Sequence, residues 1–198
     1  ANPFNKTPRQ VCTANGHYDP VDLEASPDDY LPRTNYHPMT GREEYLRRTP
    51  RVNWVELASK DAQPVTEFFR LAFRGMLPVS GEHTLTGCLV PAGCAHIHGV
   101  QTTAFKNSSD LLAAGTVTTS LVADFYLKTI GRSNLHGTWL QIPRLDCGAS
   151  IVARYVSLNC LTTHYAPLWS DVFTPDFPQQ RWSQPDNPRL PQDFFARL

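Results

Sequence analysis

The sequence predicts an all-β fold: an eight-stranded antiparallel sandwich of the jelly-roll kind, with an extended N-terminal arm and an extended C-terminal tail. Three observations lead there. Residues 68–93 read as two alternating segments joined through a turn, Gly and Pro punctuate the chain at short intervals beyond them, and no long stretch carries a convincing helical period. A jelly roll has eight strands in two sheets, which fits the number of segments found.

The arm is defined by proline. Residues 1–50 hold seven of the 17 prolines and residues 175–198 hold five, leaving five for the 124 residues between. This divides the chain into an arm (1–50), a core (51–174) and a tail (175–198). Within the arm only Gly41 to Arg48 has the composition of a short helix, and Pro50 stops it. Ordering some 50 residues costs about 1–2 kcal/mol each in backbone entropy, more than a segment without a core can offset. The arm's recurring aromatics therefore read as partner contacts. Phe4, Tyr18, Tyr30 and Tyr36 in the arm, with Trp182, Phe194 and Phe195 in the tail, are the candidate subunit-interface residues.

The core strands follow in order. Arg51–Leu57 is the first. Thr66–Arg74 is the second, with Phe69, Leu71 and Phe73 alternating against Arg70, Ala72 and Arg74. Pro78, Ser80 and Gly81 supply turn chemistry before His83–Val90, which Pro91 and Gly93 end. A less regular strand spans His96–Ala104, and a turn or short helix follows at Leu111–Ala114. Thr116–Lys128 places Val117, Thr119, Leu121, Ala123, Phe125 and Leu127 on one strand face. Thr138–Ile142, Ser150–Leu161 and Leu168–Phe173 complete the eight. The expected core includes Leu71, Phe73, Leu85, Leu89, Leu121, Phe125 and Val156.

Composition narrows the function classes. A chain of 198 residues is one domain of ordinary size. No apolar run approaches eighteen residues and no signal-peptide layout opens the chain, so neither a membrane span nor secretion is expected. Lys+Arg 18 against Asp+Glu 18 gives no overall drive toward nucleic acid or anionic lipid. Cys12, Cys88, Cys94, Cys147 and Cys160 are odd in number and fit free thiols in a reducing compartment.

Five segments, taken in order, resemble the capsid proteins of picorna-like viruses (the order Picornavirales). They are Tyr45–Pro50 leading to Trp54, Phe73-Arg74-Gly75, Thr86–Leu89 running into Pro91-Ala92-Gly93, Gln141-Ile142-Pro143, and Gly148 to Thr162 with Asn159, Leu161 and Thr162. The resemblance covers about residues 45–175. It implies a structural coat protein of a small non-enveloped positive-strand RNA virus, building an icosahedral shell with sibling coat proteins. The size is most similar to that of the small coat proteins of plant-infecting secovirids. The virion is the implied location, with the host cytoplasm during assembly, and the arm would run beneath the shell.

A few residues could carry chemistry. His96 and His98 at i, i+2 on a strand would point the same way, with Cys94 on that face, as candidate metal ligands similar to half of a cupin motif. The companion cluster of a cupin is missing, so no metal or other cofactor is expected. No Ser, Cys or His sits in a recognisable nucleophile setting, Asp124 reads as a solvated carboxylate, and no catalytic residue is assigned. Residues 1–60 hold eight basic and eight acidic side chains, so contact with genomic RNA would be sparse, through Arg47, Arg48 and Arg51. Three functional readings result: a coat subunit, a small cupin-like metal-binding protein using His96 and His98, and a β-rich accessory subunit of a cellular complex.

Overall fold

The computed structural model describes residues 6–14, 16–22, 25, 27–31, 38–55, 62–78, 80–143 and 145–181. Its fold corrects the expected class. Among the described residues there are five α-helices and five strands, the strands divided between two small sheets. This is a mixed α/β fold, not an eight-stranded jelly roll.

Three of the eight expected core strands are present in shortened form. They are β3 (Arg70–Arg74), β4 (Gly87–Val90) and β5 (Val100–Ala104), forming an antiparallel sheet in the order β4-β3-β5. In the resulting register Leu71 lies opposite Leu89 and Thr103, and Phe73 lies opposite Gly87 and Gln101. Gly87 is there for space, since a Cβ at that position would sit 3.0 Å from the Phe73 ring. The arm, where little strand pattern is legible, contains a small hairpin of β1 (Lys6–Pro8) and β2 (Tyr18–Pro20).

Of the other expected strands, Arg51–Leu57 shows only an isolated bridge from Arg51 to Pro64 among its described residues, and the rest are replaced by helices or a 3₁₀ turn. Arg42–Arg48 forms α1 as the composition predicts, with Glu43 and Glu44 in the first turn and Arg47 and Arg48 in the last, the arrangement the helix dipole favours. Ser108–Thr118 forms α2, begun by Asn107, whose side chain accepts a hydrogen bond from the Asp110 amide at 2.8 Å. Leu121–Ile130 forms α3, begun by Ser120 and ended by Gly131 at φ 69°. Ala149–Asn159 forms α4, and Ala166–Val172 forms α5 with Pro167 in its first turn. The Thr138–Gln141 stretch is a short 3₁₀ turn.

The reason lies in burial spacing. Ser150–Leu161 is rich in Ile, Val and Tyr, residues favoured in strands, yet Ala153, Tyr155, Val156, Ser157 and Cys160 are the buried ones. Ala153, Val156, Ser157 and Cys160, at i, i+3, i+4 and i+7, form a helical stripe with Tyr155 beside it, and packing overrides propensity. The α4 stripe meets α2 at Gly115, whose missing side chain makes room for the Tyr155 ring. Helix α2 packs on β3 and β4, while α4 and α5 pack on α2.

The core thus lies between one sheet face and the helices. Leu71, Phe73, Leu89, Leu111, Leu112, Leu127, Val156 and Leu168 form it, all within a few per cent of full burial. Of the core residues expected from sequence, Leu71, Phe73, Leu85, Leu89 and Val156 are buried, whereas Leu121 and Phe125 are exposed. The opposite face of β3 is covered as well. Arg70, expected on a polar strand face, is buried and donates to Thr102 Oγ1 at 3.1 Å and to the Cys94 carbonyl; burial lowers the pKa of its guanidinium.

The expected boundaries are crossed by contacts. Thr163 N donates to the Asp28 carbonyl at 2.8 Å, and Phe177 is buried against Trp169 and Phe173. Part of the arm and the first residues of the tail therefore rest on the core.

Candidate functional site

Helix α3 is apolar on both faces and engages its charged side chains with the rest of the protein. A surface helix ordinarily turns apolar residues inward and charged residues outward. In α3 the inward face is Ala123, Asp124 and Leu127, and the carboxylate of Asp124 is buried with them. Asp124 Oδ1 accepts hydrogen bonds from the Thr84 and Leu85 amides at 2.7 and 2.6 Å. One turn on, Lys128 Nζ donates to the Gly81 carbonyl at 2.8 Å. The charges of this helix are used to fasten it to the loop between β3 and β4.

The outward face is apolar. Leu121, Val122 and Phe125 are 74, 72 and 69 % exposed, and Tyr126 adjoins them at 36 %. Steps of one, three and four residues put these side chains on one contiguous helix surface. Scattered exposed apolar residues are ordinary, but four large ones on a single helix whose Asp124 and Lys128 are engaged by the 81–85 loop form a patch. The Ser120 hydroxyl, accepting from the Ala123 amide at 3.1 Å, fixes where the helix begins and hence which residues face out.

The residues singled out from sequence lie elsewhere. His96 and His98 are in the loop between β4 and β5, not on a strand, so the i, i+2 spacing no longer aims them together. His96 lies 3.0 Å from Thr102 Oγ1 through Nε2, and both imidazoles are exposed. Among the described residues no group of three or more His, Cys, Asp or Glu could hold a metal ion. None of the five cysteines forms a disulfide, and burial pushes the Cys160 thiol up to about 12.

Of the interface candidates, Tyr18 and Tyr30 are half-buried; Phe4, Tyr36, Trp182, Phe194 and Phe195 lie outside the described residues. Arg47 and Arg48 both pair with Glu44, at 2.6 and 2.5 Å, and Arg51 donates to the Ala62 carbonyl. No helix among the described residues is long and apolar enough to cross a membrane.

Comparison with protein families, with characterised proteins and with solved structures finds no match. The α3 surface is thus read from its own geometry. The sequence hides this surface because Thr116–Lys128 alternates like a single strand, which places Leu121 and Phe125 in the expected core. Two signals could have found it: Ser120 as a helix cap and Gly131 as a helix stop, ten residues of helix apart.

Proposed function

We propose that this chain works by assembly, with the outward face of α3 seated on another protein surface. The supporting observation is the outward face of α3: its charged side chains are engaged by the loop at Gly81–Leu85, and Leu121, Val122 and Phe125 are left to water. Contiguous exposed apolar surface of this kind marks a protein contact. The site offers no charge to a partner, so binding would draw on apolar burial and shape rather than on salt-sensitive attraction.

The narrower form of this reading is the coat subunit, with sibling coat proteins as partners, the virion as location and sparse RNA contact. Its support is the order of the five sequence segments. The fold withdraws the jelly roll that would have given those segments a shell geometry, and Gly148–Thr162 lies largely on α4 rather than on a strand.

The test is sedimentation velocity on native material, beside a Leu121→Asp/Phe125→Asp variant. The wild-type chain is expected in a complex and the variant as a free chain with an unchanged unfolding transition. A wild-type chain that is monomeric in native material overturns the proposal. Electron microscopy of the complex then separates a closed particle, which the coat reading requires, from a discrete complex, which an accessory subunit requires.

A further inference from the structure

Arg70, on the face of β3 turned away from the helices, is 1 % exposed and makes no ion pair among the described residues. The groups that reach it are neutral. Thr102 Oγ1 accepts from Nη1 at 3.1 Å and the Cys94 carbonyl accepts from Nη2, while the titratable side chains that act on it, Cys94 and Tyr45 of α1, are a thiol and a phenol. A guanidinium stays protonated and carries five N–H donors. Nε is buried with no partner among the described residues.

A second unanswered group belongs to the same place. Thr66, in the turn before β3, is buried, and its Oγ1 also has no partner among the described residues. The two residues hold consecutive positions of the loop between β4 and β5: the Gly93 amide donates to the Thr66 carbonyl at 2.7 Å, and Arg70 donates to the Cys94 carbonyl. That loop is a thin cover. Cys94 is half-buried, and Ala92, Gly93, Ala95, His96, Ile97 and His98 are exposed.

The deficit selects the occupant. A buried charge without a counter-charge is far more costly than a buried neutral group. A water molecule would answer Nε and the hydroxyl but not the charge, and a cation is repelled. An anion answers all three. The flat edge of a guanidinium presents parallel N–H groups to two oxygens of one oxyanion, and a threonine hydroxyl can donate to a third. Burial beneath a loop restricts the ligand to a few heavy atoms.

We propose that Arg70 and Thr66 bind a small inorganic oxyanion, of the size of phosphate or sulfate, beneath the 93–98 loop. Arg70 Nε and the Thr66 hydroxyl are its donors. His96, whose Nε2 lies 3.0 Å from the same Thr102 hydroxyl that Arg70 reaches, stands at the entrance. The bound anion fastens the loop to β3.

The experiment is equilibrium dialysis of the full chain against labelled phosphate and, separately, labelled sulfate, in chloride buffer at constant ionic strength. Saturable binding of one equivalent, at millimolar concentration or below, is expected for at least one of them, and the tighter of the two names the ligand. Thr66→Val, which keeps the shape and removes the hydroxyl, should weaken it about tenfold. Arg70→Met should abolish it. The thermal midpoint gives a second readout. Both anions stabilise proteins generally by exclusion from the surface, so the signal is the saturating part of the rise, present in the wild type by mass action and absent from Arg70→Met. Should Arg70→Met fail to fold, Thr66→Val carries the test. The Leu121→Asp/Phe125→Asp variant should bind the anion as the wild type does, which keeps this result separate from that for α3. The proposal is overturned if neither anion binds saturably, if chloride displaces them at equal concentration, or if Thr66→Val binds as tightly as the wild type.

Discussion

Asp124 on α3 holds Thr84, forty residues earlier in the chain, through a buried hydrogen bond of 2.7 Å, and the same oxygen accepts from Leu85 at 2.6 Å. A single carboxylate oxygen thereby satisfies two buried amides that belong to no strand. Hydrogen bonds to charged groups contribute about 1.5–3 kcal/mol, and unsatisfied buried donors cost about 1–3 kcal/mol. Asp124→Ala should therefore lower stability by about 2–4 kcal/mol in urea unfolding. Asp124→Asn, which keeps a carbonyl oxygen in place, should lose roughly half as much.

Gly115 should not tolerate a side chain. A Cβ there would lie 2.5 Å from Cζ and 2.7 Å from Cε1 of Tyr155, deep in the α2–α4 contact. Alanine would improve helix propensity by about 1 kcal/mol. Overpacking costs about 1–3 kcal/mol and wins because the neighbour is a buried ring, which cannot move aside cheaply. A lowered thermal midpoint in Gly115→Ala is the expected result.

Two buried tyrosines should respond oppositely to loss of the hydroxyl. Tyr165 Oη donates to the Leu89 carbonyl at 2.9 Å, so Tyr165→Phe should cost about 1–2 kcal/mol. Tyr155 Oη is buried with no partner among the described residues, so Tyr155→Phe should be neutral or stabilise by up to about 1 kcal/mol. Urea midpoints of the two variants check both signs.

Alkaline stability should be limited by Cys160. Burial raises its thiol from an ordinary value near 9 to about 12. A raised acid pKa means that the unfolded chain releases the proton first, so the contribution is complete below about pH 9 and is lost as pH rises toward 12. Burial also raises Tyr155 and Tyr165, which adds the same sign above about pH 10. The urea midpoint should hold from pH 7 to 8.5 and then decline. Cys160→Ala should flatten the first part of that decline.

How legible this fold was can be judged residue by residue. The alternation of Leu71 and Phe73 marks β3 because the face toward the helices takes large apolar residues at every second position, although Arg70 and Ala72 on the other face are buried too. Helix α1 was equally plain, from Arg42–Arg48 and the stop at Pro50. Helices α3 and α4 were not. Leu121, Val122, Ala123, Phe125, Tyr126 and Leu127 are apolar around the whole helix, so no face stands out and an alternating subset is easily chosen. Ile151, Val152, Tyr155 and Val156 favour strands locally, and only packing against Gly115 and the sheet decides otherwise. The α3 surface was hidden for the same reason. The proposed contact depends on apolar residues pointing away from the core, and a sequence pattern does not say which side the core is on.

Hydroxyl-radical footprinting of Leu121, Phe125 and Tyr126, read by mass spectrometry in native complexes and in the isolated chain, tests the assembly role of α3 most directly. Strong oxidation of these side chains in the isolated chain and protection in the complex is the predicted result. Equal oxidation in both would contradict it, because α3 would then face water in the working state of the protein.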